Sequence, residues 1–151
     1  MSDLPNPPFD DARQHWKEIR VYYEDTDFTG MVYHANYLRF FERGRSDHLR
    51  DAGVSHQSLL KRPDPAAFTL TRAEVDFKRA AKVDDVLRIR TRYLGLKGAR
   101  ILFEQSALRG DETLADARIT AVMIHADGRA RRPIPEIMDH LSAYVVDMSR
   151  L

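Results

Sequence analysis

Hydrophobic and polar residues alternate near the start of the chain, in the pattern of a strand that is buried on one face. Ile19, Val21 and Tyr23 occupy one set of alternating positions, and mostly charged side chains lie between them. Successive side chains of an extended chain point to opposite faces, so a period of two predicts a half-buried strand. We expect this strand to stop in the polar, turn-like segment 24–30.

A helical period follows and predicts one long helix over residues 36–52. One apolar stripe is formed by residues at helical spacing: Tyr37, Phe41, Gly44, His48 and Ala52. Gly53 stands directly after the last of them, where a left-handed C-terminal cap is expected.

Three residues on the apolar side of this helix need an explanation. Gly44 costs about 1 kcal/mol against Ala inside a helix, so its presence indicates a close approach to a sheet. Arg45 is expected to extend its charged end to water or to pair with a carboxylate. His48 is interpreted as a core histidine whose ring is hydrogen-bonded.

The second half of the chain is predicted to be mostly extended. Apolar and polar positions alternate in four segments: residues 68–77, 87–93, 101–105 and 113–125. A slip in the alternation near Thr71 indicates a β-bulge. Short connections favour an antiparallel sheet, because parallel strands need long crossovers. A short helix over residues 136–145 would close an α+β domain in which the sheet wraps one long helix.

Length and composition set the outer limits. A chain of 151 residues is the size of one domain, which we place at residues 15–151, after a flexible Pro-rich arm over residues 1–14. The 24 basic and 23 acidic residues give a net charge of +1, so no broad field favours nucleic acid. The absence of cysteine excludes a thiolate nucleophile and cysteine-based metal sites. No signal peptide or transmembrane segment is visible, so a cytoplasmic location is expected.

The densest polar cluster lies between the first strand and the helix. Glu24, Asp25 and Asp27 fall within four residues, followed by His34 and Asn36. A helix N-terminus, with its unpaired backbone N–H groups, could stabilise a developing oxyanion next to a carboxylate. The alternative is that these acids only form a turn. A calcium loop is disfavoured, because Asn36 stands where a bidentate Glu is required.

The run VYYEDTDFTGMVYHANYL, residues 21–38, resembles the signature of hotdog-fold acyl-CoA thioesterases. The most similar branch is the YbgC-like, Tol–Pal-associated group, related to 4-hydroxybenzoyl-CoA thioesterase. The resemblance implies a hotdog fold, an antiparallel sheet around one long helix. It implies acyl-CoA thioester hydrolysis, with coenzyme A as part of the substrate and neither a separate cofactor nor a metal. Phe28 and Thr29 depart from the small residues that the family often has there.

The resemblance also implies roles for individual residues. Asp27 would be the catalytic carboxylate, acting as nucleophile or as general base, and the backbone N–H of His34 would polarise the thioester carbonyl. The His34 side chain could orient Asp27, donate to the leaving sulfur or cap the helix. Gly30 and Tyr33 would border the substrate. Glu42 is the second-choice carboxylate, with pairing to a surface cation as its alternative.

Coenzyme A phosphates require cations near the pocket mouth, and the candidates are Lys97, Arg100 and Arg131, together with Arg129 and Arg132 beside the last of them. The alternative is that each is a solvated loop residue. The family implies a homodimer or homotetramer with each site at an interface between chains. Two other functions stay open. One is a hotdog hydratase or dehydratase, disfavoured because Asp27 and His34 are seven residues apart rather than five. The other is a non-catalytic module that binds acyl-CoA or acyl-carrier protein.

Overall fold

A computed structural model describes residues 8–151. Five strands are present: β1 His15–Arg20, β2 Ala66–Phe77, β3 Val86–Lys97, β4 Arg100–Arg109 and β5 Glu112–His125. The helices are α1 Asn36–Asp51, α2 His56–Leu60 and α3 Pro135–Ser142, with 3₁₀ turns at Tyr23–Asp25 and Met148–Arg150. None of the helices in this part of the chain has the length and apolarity to span a membrane.

The strands form one antiparallel sheet in the order β1-β3-β4-β5-β2. Helix α1 packs on β3, β1 and β4. Its buried side chains, including Phe40 and Phe41, join those of β3 and β5 in the core. The predicted α+β architecture, with a sheet wrapped on one long helix, is confirmed. The predicted bulge is also confirmed, because the pairing of β2 with β5 shifts between Leu70 and Arg72.

Gly44 marks the point where α1 approaches the sheet most closely. A Cβ atom built there would lie 2.7 Å from Cγ2 of Ile89, which is too close for any real side chain. The predicted close approach is therefore confirmed. Arg45 differs from the prediction, because its buried guanidinium donates to Oε1 of Gln105 at 2.9 Å, a neutral partner in the core. Gln105 in turn donates to the Phe41 carbonyl oxygen at 2.8 Å.

His48 is in the core as predicted, but it is not hydrogen-bonded. Both of its ring nitrogens lack a partner among the described residues. The ring packs edge-on against Phe9, Tyr93 and Phe103, so aromatic contacts replace polar ones. The neighbouring His15 is also buried, and its Nε2 lies 2.7 Å from a carboxylate oxygen of Asp51.

Residues 8–14, assigned above to a flexible arm, pack against the domain, whereas residues 1–7 lie outside the described part. Phe9 contacts the His15 and His48 rings, and Ala12 is buried.

The first strand ends at Arg20, earlier than the prediction, because the Tyr22 N–H donates to the Asp25 carboxylate at 2.8 Å and the chain turns there. Helix α2 was not predicted. Residues 136–145 do contain a helix, α3, which ends at Ser142.

Candidate active site

The loop between β1 and α1 is a small hairpin with Asp27 at its bend. The Asp27 N–H donates to the Met31 carbonyl oxygen at 2.9 Å, and the Gly30 N–H donates to the Asp27 carbonyl oxygen at 3.1 Å. Gly30 has φ +80°, a left-handed conformation that favours glycine. Its carbonyl oxygen accepts the N–H of Val83 at 3.1 Å, so the segment leading to β3 holds the bend.

The Asp27 carboxylate is partly exposed, and only one of its oxygens accepts hydrogen bonds from the side chain or backbone of a described residue. Oδ1 accepts the Thr29 N–H at 2.8 Å and also the Thr29 hydroxyl. The hydroxyl bond, followed by the backbone bond, holds the pKa of Asp27 below its ordinary value. The carboxylate is therefore ionised at neutral pH, and its second oxygen is available to a substrate.

Asp25 has the opposite environment, although it is only two residues away. It is buried, and its Oδ1 accepts the side-chain amide of Asn36 at 2.7 Å. Its Oδ2 accepts the Tyr22 N–H, so both oxygens hold the loop to the helix. Asp25 is a structural residue. Among residues 8–151, no three His, Asp or Glu side chains are placed to hold a metal ion.

The N-terminus of α1 supplies backbone donors next to this hairpin. Asn36, Tyr37 and Leu38 donate to the carbonyl oxygens three residues earlier in the chain. The N–H groups of His34 and Ala35 donate to no residue in the described part of the chain. Free N–H groups at the positive end of a helix can stabilise a developing oxyanion. The exposed His34 ring lies against the Tyr33 ring, with the centroids 4.3 Å apart and the planes inclined at 48°.

A cavity of about 290 Å³ opens beside His34 and not beside the Asp27 side chain. Its lining residues come from the hairpin, α1 and the end of β2: Val32, His34, Tyr37, Phe77, Lys78, Arg79 and Ala80. The Phe77 ring meets the rings of His34 and Tyr37 edge-on. Phe77, Lys78 and Arg79 are not among the site residues predicted from the sequence. The sequence pattern that could have indicated them is a pair of cations directly after a strand that ends in Phe.

The other predicted substrate residues are distributed over the molecule. Tyr33 contacts His34 but does not line this cavity, and Gly30 forms the bend. Arg131 forms an ion pair with Asp64 at 3.0 Å. This pair links two loops and compensates the positive charge of Arg131. Glu42 forms an ion pair with none of the cations in residues 8–151, and it accepts the Ser46 hydroxyl at 2.7 Å.

Lys97 and Arg100 lie together in another cavity, of about 550 Å³, at the turn between β3 and β4. Arg72 adds a third cation, which forms an exposed ion pair with Glu74 at 2.7 Å. The remaining lining residues are Thr71, Leu102, Thr120 and Val122. We call this the cationic groove. Strand β3 begins near the Asp27 hairpin and ends at Lys97, a length of about 36 Å at 3.3 Å per residue. Within one chain, the structure therefore does not bring Lys97 and Arg100 to Asp27.

Comparison with known proteins places the chain in a family. The profile of the thioesterase-like superfamily matches residues 21–142. An acyl-CoA thioesterase YbgC of Haemophilus influenzae is 43% identical over 106 residues, which cover 70% of this chain and 77% of the relative. An acyl-CoA thioester hydrolase YbgC of Escherichia coli is 34% identical over 119 residues, covering 78% and 87%.

Solved structures agree with the sequence comparison. The crystal structure of a probable thioesterase from Bartonella henselae superimposes with a TM-score of 0.77 at 41% identity, covering 80% of this chain and 99% of that one. The profile's range, residues 21–142, contains the hairpin, α1 and strands β2 to β5. The chain belongs to the thioesterase-like superfamily, as a thioesterase with the hotdog fold.

Proposed function

We propose that the protein is an acyl-CoA thioester hydrolase that uses Asp27 as its catalytic carboxylate. One observation carries the proposal: an ionised carboxylate with one free oxygen lies on a hairpin that leads into the N-terminus of α1, where the His34 N–H is free. The relatives named acyl-CoA thioesterases support the substrate class. Coenzyme A enters as part of the substrate.

The proposed reaction begins when the thioester carbonyl oxygen accepts the His34 N–H. In one route the free Asp27 oxygen attacks the carbonyl carbon, the C–S bond breaks, and water then hydrolyses the resulting anhydride. In the other route Asp27 takes a proton from a water molecule that attacks instead. A thiolate with a pKa near 8.5 leaves readily, so neither route requires a strong general acid. Single turnover in ¹⁸O-labelled water separates them, because only the first labels Asp27.

The direct test is Asp27→Asn, assayed by thiol release from a panel of short, medium and aromatic acyl-CoA substrates. We expect kcat to fall by about 10³-fold or more, because the amide can neither attack nor accept a proton. Glu24→Gln is the matched control, since it removes one negative charge from the same loop at an exposed position. Undiminished turnover in Asp27→Asn contradicts the proposal.

The proposal includes a homodimer or homotetramer, and strand β2 supports it. Strand β2 is twelve residues long and lies at the edge of the sheet, so one side of its backbone faces no other strand of the described chain. Leu70 and Phe77 on it are 44% and 52% exposed. A long edge strand with exposed apolar residues is suited to pair with another strand. Its counterpart would be β2 of a second copy.

Such pairing would complete the substrate site. Antiparallel pairing brings the Ala66 end of one β2 next to the Phe77 end of the other. The cationic groove of the second copy would then lie at the same end of the joined sheet as Asp27 of the first. Its Lys97 and Arg100 would bind the coenzyme A phosphates, for which guanidinium and ammonium groups are suited. Arg72 would join them by exchanging its exposed pair with Glu74, a weak interaction, for a phosphate.

A further inference from the structure

Thr29 holds the Asp27 side chain through two hydrogen bonds on the same oxygen. Its backbone N–H and its hydroxyl both donate to Oδ1, and Asp27 receives no other side-chain hydrogen bond from a described residue. The hydroxyl bond requires a Ser or Thr at this position, whereas the backbone bond is available to any residue except proline. The side chain of Thr29 therefore adds a specific contact to a turn that the backbone already forms.

We propose that Thr29 is a positioning residue for the hydrolysis reaction, fixing the Asp27 carboxylate so that Oδ2 is the oxygen that acts on the substrate. This inference rests on the function proposed above, in which Asp27 is the catalytic carboxylate. Thr29 does not touch the reacting atoms and acts only through Asp27.

The geometry has two consequences for the reaction. With Oδ1 occupied by two donors, rotation of the carboxylate is restricted and a single oxygen is presented, which lowers the cost of reaching an attack geometry. The same donors stabilise the charged form, so the carboxylate stays ionised to a lower pH. The neighbouring Phe28 is 98% exposed, so its side chain contributes no packing that could hold the loop in place of Thr29.

Three variants test the inference. Thr29→Val keeps the branched shape and removes the hydroxyl at an exposed position, and Thr29→Ser keeps the hydroxyl. The matched control is Thr26→Val, which removes a hydroxyl from the same loop, one that donates to the Tyr23 carbonyl oxygen at 2.8 Å and not to Asp27. Each variant is assayed by thiol release across a range of pH.

We expect Thr29→Val to lower kcat by about three- to tenfold with a smaller change in KM, and to move the acid limb of the pH profile to higher pH. Thr29→Ser should recover most of both properties, and Thr26→Val should match the wild type. A ¹³C NMR titration of the Asp27 carboxyl carbon gives a readout independent of activity, and its midpoint should be higher in Thr29→Val.

The outcomes separate this inference from the proposed function. If Asp27→Asn is inactive while Thr29→Val keeps the wild-type pH profile and titration midpoint, the role of Thr29 is wrong and the function stands. A Thr29→Ser variant as impaired as Thr29→Val also overturns it, because the hydroxyl would then not be the group that matters. If Asp27→Asn retains full activity, the proposed function itself fails.

Discussion

Asp25 and Asp27 occupy the same short loop, and their hydrogen bonds assign them different tasks. Asp25 is buried, and both of its oxygens are used by Tyr22 and Asn36 to join the loop to α1. Asp27 is partly exposed and keeps one oxygen free. The two neighbouring acids are tolerated because one carboxylate is hydrogen-bonded by amide donors within the fold while the other faces solvent.

A second residue-scale feature, the buried His48, has a consequence for stability. Burial lowers the pKa of His48 to about 3, and the nearby His15 acts in the same direction. The folded protein therefore holds this ring neutral, while the unfolded chain protonates it below its ordinary pKa of about 6.5. The unfolded state binds more protons between those two values, so stability falls as the pH falls from 6.5 towards 3.

We predict that the free energy of unfolding decreases by about 2–3 kcal/mol through His48 between pH 7 and pH 4.5. Urea unfolding at the two pH values measures the change, and His48→Phe should remove most of it while keeping an aromatic ring in the cluster. His56→Gln, at an exposed histidine, should retain the wild-type dependence. An unchanged pH dependence in His48→Phe would show that other groups cause the acid sensitivity.

At the scale of elements, the contact between α1 and β3 depends on the missing side chain of Gly44. A Cβ there would meet Ile89 at 2.7 Å and side-chain atoms of Gln105 and Thr91 at 3.1 Å. Ile89 is fully buried, so its side chain cannot move away from the added Cβ without displacing other core residues. The helix gains about 1 kcal/mol of propensity from Ala, and overpacking of a core costs about 1–3 kcal/mol.

The clash outweighs the propensity, and Gly44→Ala is therefore predicted to lower the free energy of unfolding by about 1 kcal/mol, the middle of the overpacking range less the gain in propensity. Denaturant unfolding measures it. Arg39→Ala, on the exposed side of the same helix, serves as the control and should change stability by less than about 0.5 kcal/mol. A Gly44→Ala protein that is as stable as the wild type would contradict the proposed contact.

Elements with a strong repeating pattern could be predicted from the sequence. The helix ends at Asp51 with Gly53 at φ +94°, and the bulge lies at Thr71, both close to the predicted positions. The end of β1 was missed because Val21 and Tyr23 keep the alternation of a strand after the Asp25 carboxylate has turned the chain. Helix α2, at His56–Leu60, is too short for a period to be recognised.

The candidate site was predictable only as far as its local motif. Asp27, His34 and the helix N-terminus are adjacent in sequence, so their proximity follows from the loop. Which acid is buried depends on Asn36, whose side chain reaches back eleven residues to Asp25. The cavity depends on Phe77, which β2 brings to the hairpin from far along the chain. Such contacts depend on tertiary packing and leave no short-range pattern.

At the scale of the whole molecule, one chain holds its candidate carboxylate and the Lys97–Arg100 end of its cationic groove far apart along the sheet. The edge strand β2 offers a way to bring them together, because antiparallel pairing with a second β2 reverses one chain relative to the other. In the proposed function, hydrolysis therefore requires two chains, with Asp27 from one and Arg72, Lys97 and Arg100 from the other.

Complementation between two defective chains tests this central claim most directly. Asp27→Asn and the triple variant Arg72→Ala/Lys97→Ala/Arg100→Ala are co-expressed with different tags, and the hybrid is purified through both tags. The hybrid holds one site with neither defect, so at low acyl-CoA concentration we predict about half of the wild-type rate, with both parents far below it. A hybrid no more active than the mean of its parents, or a fully active Asp27→Asn parent, would contradict the account.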